Sequence, residues 1–528
     1  MKRGLKSLSL VLAMTFVFSL LLTACGQTAQ NSADSTAGSA SAAPSSAAAS
    51  TGLDISQEAK ITMYLIGDEQ PDAPKVYEEV NKKLKADINA TVECKYLPWA
   101  DWQQKYPLVF ASGEDFDLIY TADWVFYADQ ATKHGFMEVT QDMLQKYMPD
   151  YYKEIPSDFY DQLKVDGKMY MVPYLNKQVM GHSLVLVRGD LREKYGLPEI
   201  KTLEDYENYL LAVAKNEKGV MPFHSGIDGL FSNLFYKQEN NLMFLRVSPN
   251  YLFTTSLETG DGKISYTLDD PKFVDGIKRT RKLFEAGGWS KNVLALKTDA
   301  VEEFKVGKLG SLSGQAEAMI EWASATSTLH PEFKPEVYDL QSDKIHESSS
   351  AARSGMGINA NSKNYERALM MLNLFGTQKE YFDLTTYGIE GLHYQAIGDN
   401  QMKTLPDGAS RFPTKANCPW GWERKDFMRY PDIVSKDLIG LEQSWIDGGK
   451  TSTTPIVSFN FVDTNVKNEI AAITNIYNVR GKALLSGLLP NVDDEVAKLK
   501  ADLKKAGIEK VQAELQKQLD EYIKQFNK

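Results

Sequence analysis

The chain has 528 residues, 43% hydrophobic and 11% aromatic, and carries a formal net charge of −11. That length supports more than one domain with large cores. A body this acidic, more so once Lys2, Arg3 and Lys6 are set aside, argues against nucleic acid as a partner and offers no basic patch to anionic lipid.

The first element is a basic start followed by a mostly apolar run from Leu8 to Leu22 and a small-residue neighbourhood. It reads as a secretory signal over residues 1–24, outside the fold proper. A retained transmembrane anchor is the competing reading, because the run nearly reaches membrane-spanning length. Leu22-Thr23-Ala24-Cys25 favours the signal, since it resembles the bacterial lipobox. That resemblance implies cleavage before Cys25 and diacylglycerol on its sulfur. Residues 25–53 are then a Ser/Ala-rich tether without an aromatic ring, too poor in apolar surface to order itself.

The body opens "KITMYLIG" (60–67), a β-rich run ending in glycine. "KVYEEVNKKLKADIN" (75–89) places Val76, Val80 and Leu84 at helical spacing, and "ATVECKYLP" (90–98) alternates as a strand. "DWQQKYPLVFASG" (101–113) reads as a helix interrupted by Pro107, and "DLIYT" (117–121) as the next strand. Strand, helix, strand, helix, strand is the start of an α/β domain with a largely parallel sheet. Ligands of such sheets sit beyond the carboxyl ends of the strands, where Asp123 and Trp124 stand; Asp115 and Asp117 read as turn and strand-entry residues. Further on come an apolar strand at 184–187, a helix opening near Asp190, and a helix over 202–216. In the last, Thr202 and Asp205 form a variant capping box. Helices are also expected at 271–286 and 361–375, and over the final 36 residues with a break at Gly507. There Leu499 and Leu503 share a face, as do Val511, Leu515, Leu519 and Ile523.

Catalytic signatures are scarce. The chain holds no HExxH, P-loop, GxSxG elbow or closely spaced cysteine set. Its histidines (His134, His182, His224, His330, His346 and His393) are scattered. "SGEDFD" is not a calcium loop, because Phe116 takes a ligand position and no closing Glu follows. No metal or cofactor is expected, and no enzymatic step. Cys94 and Cys418 are the cysteines of the body, either a disulfide or two buried thiols. Aromatics near turns are plentiful: Trp99, Trp102, Trp124, Trp322, Trp420, Trp422 and Trp445, with Tyr174, Tyr387 and Tyr394. A sugar offers apolar C–H faces and a fringe of hydroxyls, which aromatic platforms beside Asp, Glu, Asn or Gln suit. Core packing is the competing fate of each ring. The turn "NCPWGWERK" (417–425) favours presenting its two tryptophans, and Tyr387 is kept as a candidate contact.

From Ile61 onward the chain resembles the extracellular solute-binding proteins of ABC importers, close to the carbohydrate-binding group and to its Firmicutes lipoprotein branch. The segments that carry the resemblance include "LPWADWQQKYPLVFASGEDFDLIYTADW", "DGKMYMVPY", "LVLVRGDLREKYGLPEIKTLEDY", "FKVGKLG", "GMGINANSKNYERALMMLNLF", "YGIEGLHY" and "VSFNFVDTNVKNEIAAITNIYN", in that order. It implies a two-lobed α/β fold of the periplasmic-binding-protein type, with hinge strands and a ligand cleft between the lobes. Lobe 1 would comprise 54–174 and 333–384, lobe 2 175–332 and 385–528, each boundary placed to within about ten residues, with "YMVPYLNK" as the first hinge. Carried over, Asp123 and Trp124 are the strand-end ligand contacts and Tyr174 the hinge-side one. Trp322 follows the "FKVGK" helix, and Trp420 and Trp422 come from a late loop. The implied partners are an oligosaccharide, the permease subunits and, through Cys25, the membrane, for a monomeric receptor. A peptide or polar-metabolite receptor, a tethered polysaccharide-active enzyme and a surface sensor or structural lipoprotein are the alternatives.

Overall fold

The computed structural model describes residues 54–526 apart from 177, 181–183, 224–229, 297 and 453. The signal, Cys25 and the tether to residue 53 lie outside the described residues, as do His182 and His224. No described helix is long and apolar enough to cross a membrane. In chain order the framing elements are β1 (Ala59–Ile66), α1 (Ala73–Ile88), β2 (Ala90–Leu97), α2 (Trp102–Ala111), β3 (Leu118–Thr121), β4 (Met171–Pro173) and β5 (Leu184–Arg188). Then follow α3 (Leu203–Asn216), α4 (Pro271–Glu285), β6 (Ser311–Gly314), α5 (Ala316–Leu329), β7 (Pro335–Asp339), β8 (Gly355–Ile358), α6 (Tyr365–Thr377), α7 (Lys379–Tyr387), α8 (Val492–Lys505) and α9 (Ile508–Phe526).

Lobe 1 is built on a five-stranded sheet in the order β2-β1-β3-β8-β4. β1 runs parallel to β2 and β3, and β8 runs antiparallel to β3 and β4. All four residues of β3 are buried, as a strand covered on both faces requires. Helix α1 buries Tyr77, Val80, Leu84 and Ile88 against this sheet; a proline opens it, and Asn89 ends it in the left-handed region. Asp117 accepts from the Thr62 N–H at 2.9 Å and from Ser362 Oγ at 2.6 Å, so it fastens strands as a structural carboxylate.

Lobe 2 centres on β5, flanked antiparallel by β6 and β7 and buried along its length. The capping box on α3 is formed, Thr202 and Asp205 each satisfying the other's backbone N–H. Gly507 adopts φ +93° between α8 and α9, which is the break in the C-terminal helices. Leu499, Leu503, Val511, Leu515 and Leu519 from those helices join Phe273 and Ile277 of α4 in one core, so the tail packs on its own lobe.

The chain passes between the lobes from β4 to β5 and again from β7 to β8, and the two crossings pair antiparallel (Val179 with Ser348, Met180 with Glu347). Two expected boundaries move. β7 pairs with β5, so Pro335–Asp339 belongs to lobe 2 and not to a lobe 1 segment starting at 333. Cys418 and Trp422 are buried in the lobe 1 core, so the chain after 385 does not stay with lobe 2. Cys94 and Cys418 are free thiols; burial pushes the Cys94 thiol up to about 12, which keeps it protonated and unreactive.

Candidate functional site

Strands β1, β2 and β3 are parallel, so their carboxyl ends share one edge of lobe 1, and three tryptophans gather there. Trp99 follows the end of β2, Trp124 the end of β3, and Trp420 enters on the 3-10 turn Pro419–Trp422. Trp99 and Trp124 stack with centroids 6.3 Å apart and planes 12° from parallel. Trp420 leans on Trp99 at 5.8 Å, and Trp102 and Tyr120 meet the group edge-on. The indole of Trp124 donates to the Arg353 carbonyl at 3.1 Å, and the Arg353 guanidinium lies over its ring at 5.5 Å. Gly67, at φ +122°, ends β1 beneath the Trp99 indole. Trp99 is 38% exposed, unusual for so large an apolar ring. These rings form a wall with one open face.

Lobe 2 lies across this edge. Arg246 Nη1 is 3.0 Å from Asp123 Oδ2, and the same oxygen accepts from Ser350 Oγ at 2.6 Å. Arg246 also reaches the Val457 carbonyl at 3.3 Å and stands 3.8 Å from Glu347, which in turn neighbours Lys237. The other oxygen, Asp123 Oδ1, is buried without a hydrogen-bond partner among the described residues; Arg353 stands 4.0 Å away. A buried acceptor left unmade costs about 1–3 kcal/mol. At the open end, Asp68 faces Asp299 and Glu302 of lobe 2 as well as Asp101. Its carboxyl is raised by burial and by those charges.

A second polar group adjoins the first through Tyr174, whose hydroxyl meets Ser349 Oγ at 2.9 Å. Ser349 Oγ also accepts from the Gln178 N–H. Gln178 Nε2 donates to Glu317 at 3.1 Å, and Glu317 and Glu321 share one face of α5 at i,i+4 spacing. Lys415 Nζ stands 3.0 Å from Glu317, 3.2 Å from Glu423 and 3.7 Å from Glu321. Three carboxylates around one ammonium cannot all stay charged in a dry site. Burial, and then Glu317, push Glu423 up to about 7. Burial also raises Glu321 well above the carboxylate range. Burial works in the same direction at Glu317, but Lys415 outweighs it and holds that carboxyl below its ordinary value.

The candidate residues are thus divided. Asp123, Trp124 and Trp420 meet at the strand-end edge, and Tyr174 joins the two polar groups while its own ring is sealed. Trp322 lies half-buried on α5, one residue past Glu321 and against Gly314. Trp422 and Tyr387 are corrected: both are buried in core. Trp422 packs on Phe375 at 5.1 Å and donates to Thr385 Oγ1, and Tyr387 packs on Tyr394 and accepts from the Arg429 N–H. A two-residue step in a 3-10 turn swings a side chain by about 240°, so Trp420 and Trp422 cannot share a face. Trp99 was legible by the strand-end rule that found Trp124. Arg246, Lys415, Glu317 and Gln178 had no sequence signal, since each comes from a segment whose approach depends on the second lobe. Surface depressions of about 430 Å³ around Leu197 and Asp205, and of about 530 Å³ around Tyr236 and Arg279, share no residue with the wall. The aromatics of the second, Phe231 and Tyr236, are committed to core.

Comparison with known proteins agrees with this architecture. A family model described as bacterial extracellular solute-binding protein matches residues 67–379, and one described as a domain of unknown function (DUF3502) matches residues 455–524. A carbohydrate ABC transporter substrate-binding protein of Streptococcus pneumoniae is 26% identical over 88% of this chain and 91% of its own. Among solved structures, the N-glycan transport solute-binding protein NgtS of S. pneumoniae, in complex with Man1GlcNAc, superposes with a TM-score of 0.73 at 24% identity. That match covers 88% of this chain and 100% of the other. The alginate-binding protein AlgQ2 shares the fold at a TM-score of 0.59 and 16% identity, covering 88% and 99%.

Proposed function

The chain belongs to the family of bacterial extracellular solute-binding proteins, and on that premise we propose that it captures a neutral oligosaccharide between its lobes and delivers it to an ABC permease. The observation that carries the reading is the Trp99–Trp124–Trp420 wall, open on one face, beside Asp123 and the lobe 2 arginine that reaches it. Stacking supplies apolar area for the sugar's C–H faces, and the carboxylates and amides accept or donate to its hydroxyls. A solute touching both lobes favours the closed arrangement, which is how capture would be coupled to delivery. The carbohydrate relatives support the class of solute.

The same geometry argues against hydrolysis. Glu317 and Glu423, one low and one raised, have the unequal acidity of a glycosidase pair. Lys415 nevertheless occupies the gap between them, and the Glu423 side chain is 2% exposed. A glycosidic oxygen therefore has no path to both carboxyls. On this reading the receptor acts as a monomer at the outer face of the cell membrane, held by lipid on Cys25. Isothermal titration of the protein with Man1GlcNAc, longer mannosyl oligosaccharides and a peptide panel tests it. Saturable heat with a sugar, and no new reducing ends on prolonged incubation, is the expected result; binding confined to peptides would overturn it. Mass spectrometry of the membrane-extracted protein tests the anchor.

A further inference from the structure

Residues 455–524 match a domain to which no function is assigned, and their contacts lead into the cleft. Along α9, Glu514, Gln518 and Tyr522 recur at a spacing of four and form a polar stripe beside the apolar face of Val511, Leu515 and Leu519. This stripe grips the segment 455–465. Gln518 makes two bonds to one residue, accepting from the Val462 N–H and donating to its carbonyl, both at 2.9 Å. Tyr522 donates to the Pro455 carbonyl at 3.1 Å and packs its ring on Phe459 at 5.4 Å. Glu514 accepts from Asn465 Nδ2 at 3.0 Å. Ile456, Val457 and Phe459 are buried below. The segment is held at both ends and from beneath.

Its free side faces the other lobe. The Val457 carbonyl accepts from Arg246, the guanidinium that reaches Asp123. Ser458 Oγ donates to Gln162 Oε1 of lobe 1 at 3.2 Å, and that oxygen also accepts from the Ala351 N–H, at the turn carrying Ser350 and Arg353. A guanidinium on a flexible stem needs such a second partner to fix its plane.

We propose that α9 and the segment it grips are the positioning element of the solute site: Gln518 and Tyr522 set the Val457 carbonyl that aims Arg246 at Asp123, and Ser458 braces the closed lobes at Gln162. This deepens the binding reading and rests on it only for the affinity arm of the test. In the full-length chain, Ser458→Ala and Gln518→Ala are compared with wild type by hydrogen exchange. Each is expected to raise exchange about fivefold in the lobe 1 stretches 158–163 and 350–354, leaving α6 unchanged. Ser458→Thr, which keeps the hydroxyl, should restore protection. With Man1GlcNAc as the probe, Kd should rise about tenfold, chiefly through faster dissociation. Changes confined to 455–465 and 508–526 would show a merely local role and overturn the proposal. If wild type binds no Man1GlcNAc, the exchange result alone decides the proposal, and the functional reading is judged separately by the sugar and peptide titrations.

Discussion

Trp420 and Trp422 stand two residues apart, yet one ring joins the open wall and the other is sealed on Phe375. The two tryptophan environments predict opposite mutant phenotypes. Trp124→Ala removes a stacking face and should weaken solute binding by about 2 kcal/mol, roughly thirtyfold in Kd, with a smaller loss of melting midpoint than Trp422→Ala. Trp422→Ala empties core and should cost about 3–5 kcal/mol of stability. Titration calorimetry and thermal unfolding on both variants check this; an unchanged affinity for Trp124→Ala would remove it from the site. Glu423 adds a pH dependence. Its folded value of about 7 lies above its ordinary 4.5, so the native state holds a proton that the unfolded chain releases. Its contribution is fully present below pH 4.5 and is lost as pH rises through 7. The raised Glu321 carboxyl acts in the same direction. His346, lowered to about 4 by burial, acts at the acid end instead, its contribution present above 6.5 and lost as pH falls through 4. Melting curves from pH 5 to 8 should therefore fall more steeply for wild type than for Glu423→Gln. Equal slopes would show that Glu423 is not the titrating group.

At the scale of elements, what could be read from the sequence was what is decided locally. The period of α1, the box on α3 and the break at Gly507 each depend on neighbours within a few residues, and all are present. The strand-end rule placed Asp123 and Trp124 at the carboxyl edge of the sheet, where they stand, because that edge is a local consequence of β1, β2 and β3. The rest of the site depends on long-range closure: Arg246 meets Asp123 across 123 positions of chain, and Lys415 meets Glu317 across 98. Nothing in spacing or composition encodes those encounters. The boundary expected near 333 shifts within its ten-residue margin for a related reason, since β7 is claimed by its pairing with β5 and not by its place in the chain. The turn Pro419–Trp422 shows how finely an element places a ring. A Cβ at Gly421 would lie 2.5 Å from Met356 Sδ, so the turn sits on β8 only because glycine is there. Gly421→Ala should push the turn outward at a cost of about 1–3 kcal/mol. It should also weaken solute binding, because Trp420 moves with the turn. A variant with lower melting midpoint but native affinity would show that Trp420 does not belong to the wall.

At the scale of the whole molecule, the fold leaves the sugar open, since an alginate-binding protein shares it, and charge narrows the choice. The chain carries −11 overall. Within the site, Asp123 holds both Arg246 and Arg353 at 3.0 and 4.0 Å, while Lys415 is shared among three carboxyls. Asp68 lies in the field of Asp101, Asp299 and Glu302, of which Asp101 and Glu302 pair with Lys105 at 3.1 Å and Lys305 at 2.6 Å. An arriving uronate would meet cations already engaged by carboxylates. Two unit charges 4 Å apart at a protein surface interact by roughly 4 kcal/mol, enough to outweigh one extra hydrogen bond of about 1 kcal/mol. A neutral hexose or N-acetylhexosamine oligomer should therefore bind about tenfold or more tighter than a uronate oligomer of equal length at low salt. The gap should narrow as ionic strength shortens the Debye length toward 3 Å at about 1 M. Competition titrations of the two sugars at low and high salt measure it directly. Tighter binding of the uronate, or a preference that salt leaves untouched, would mean that Arg246 or Arg353 is released to the solute and that the site is cationic when it closes.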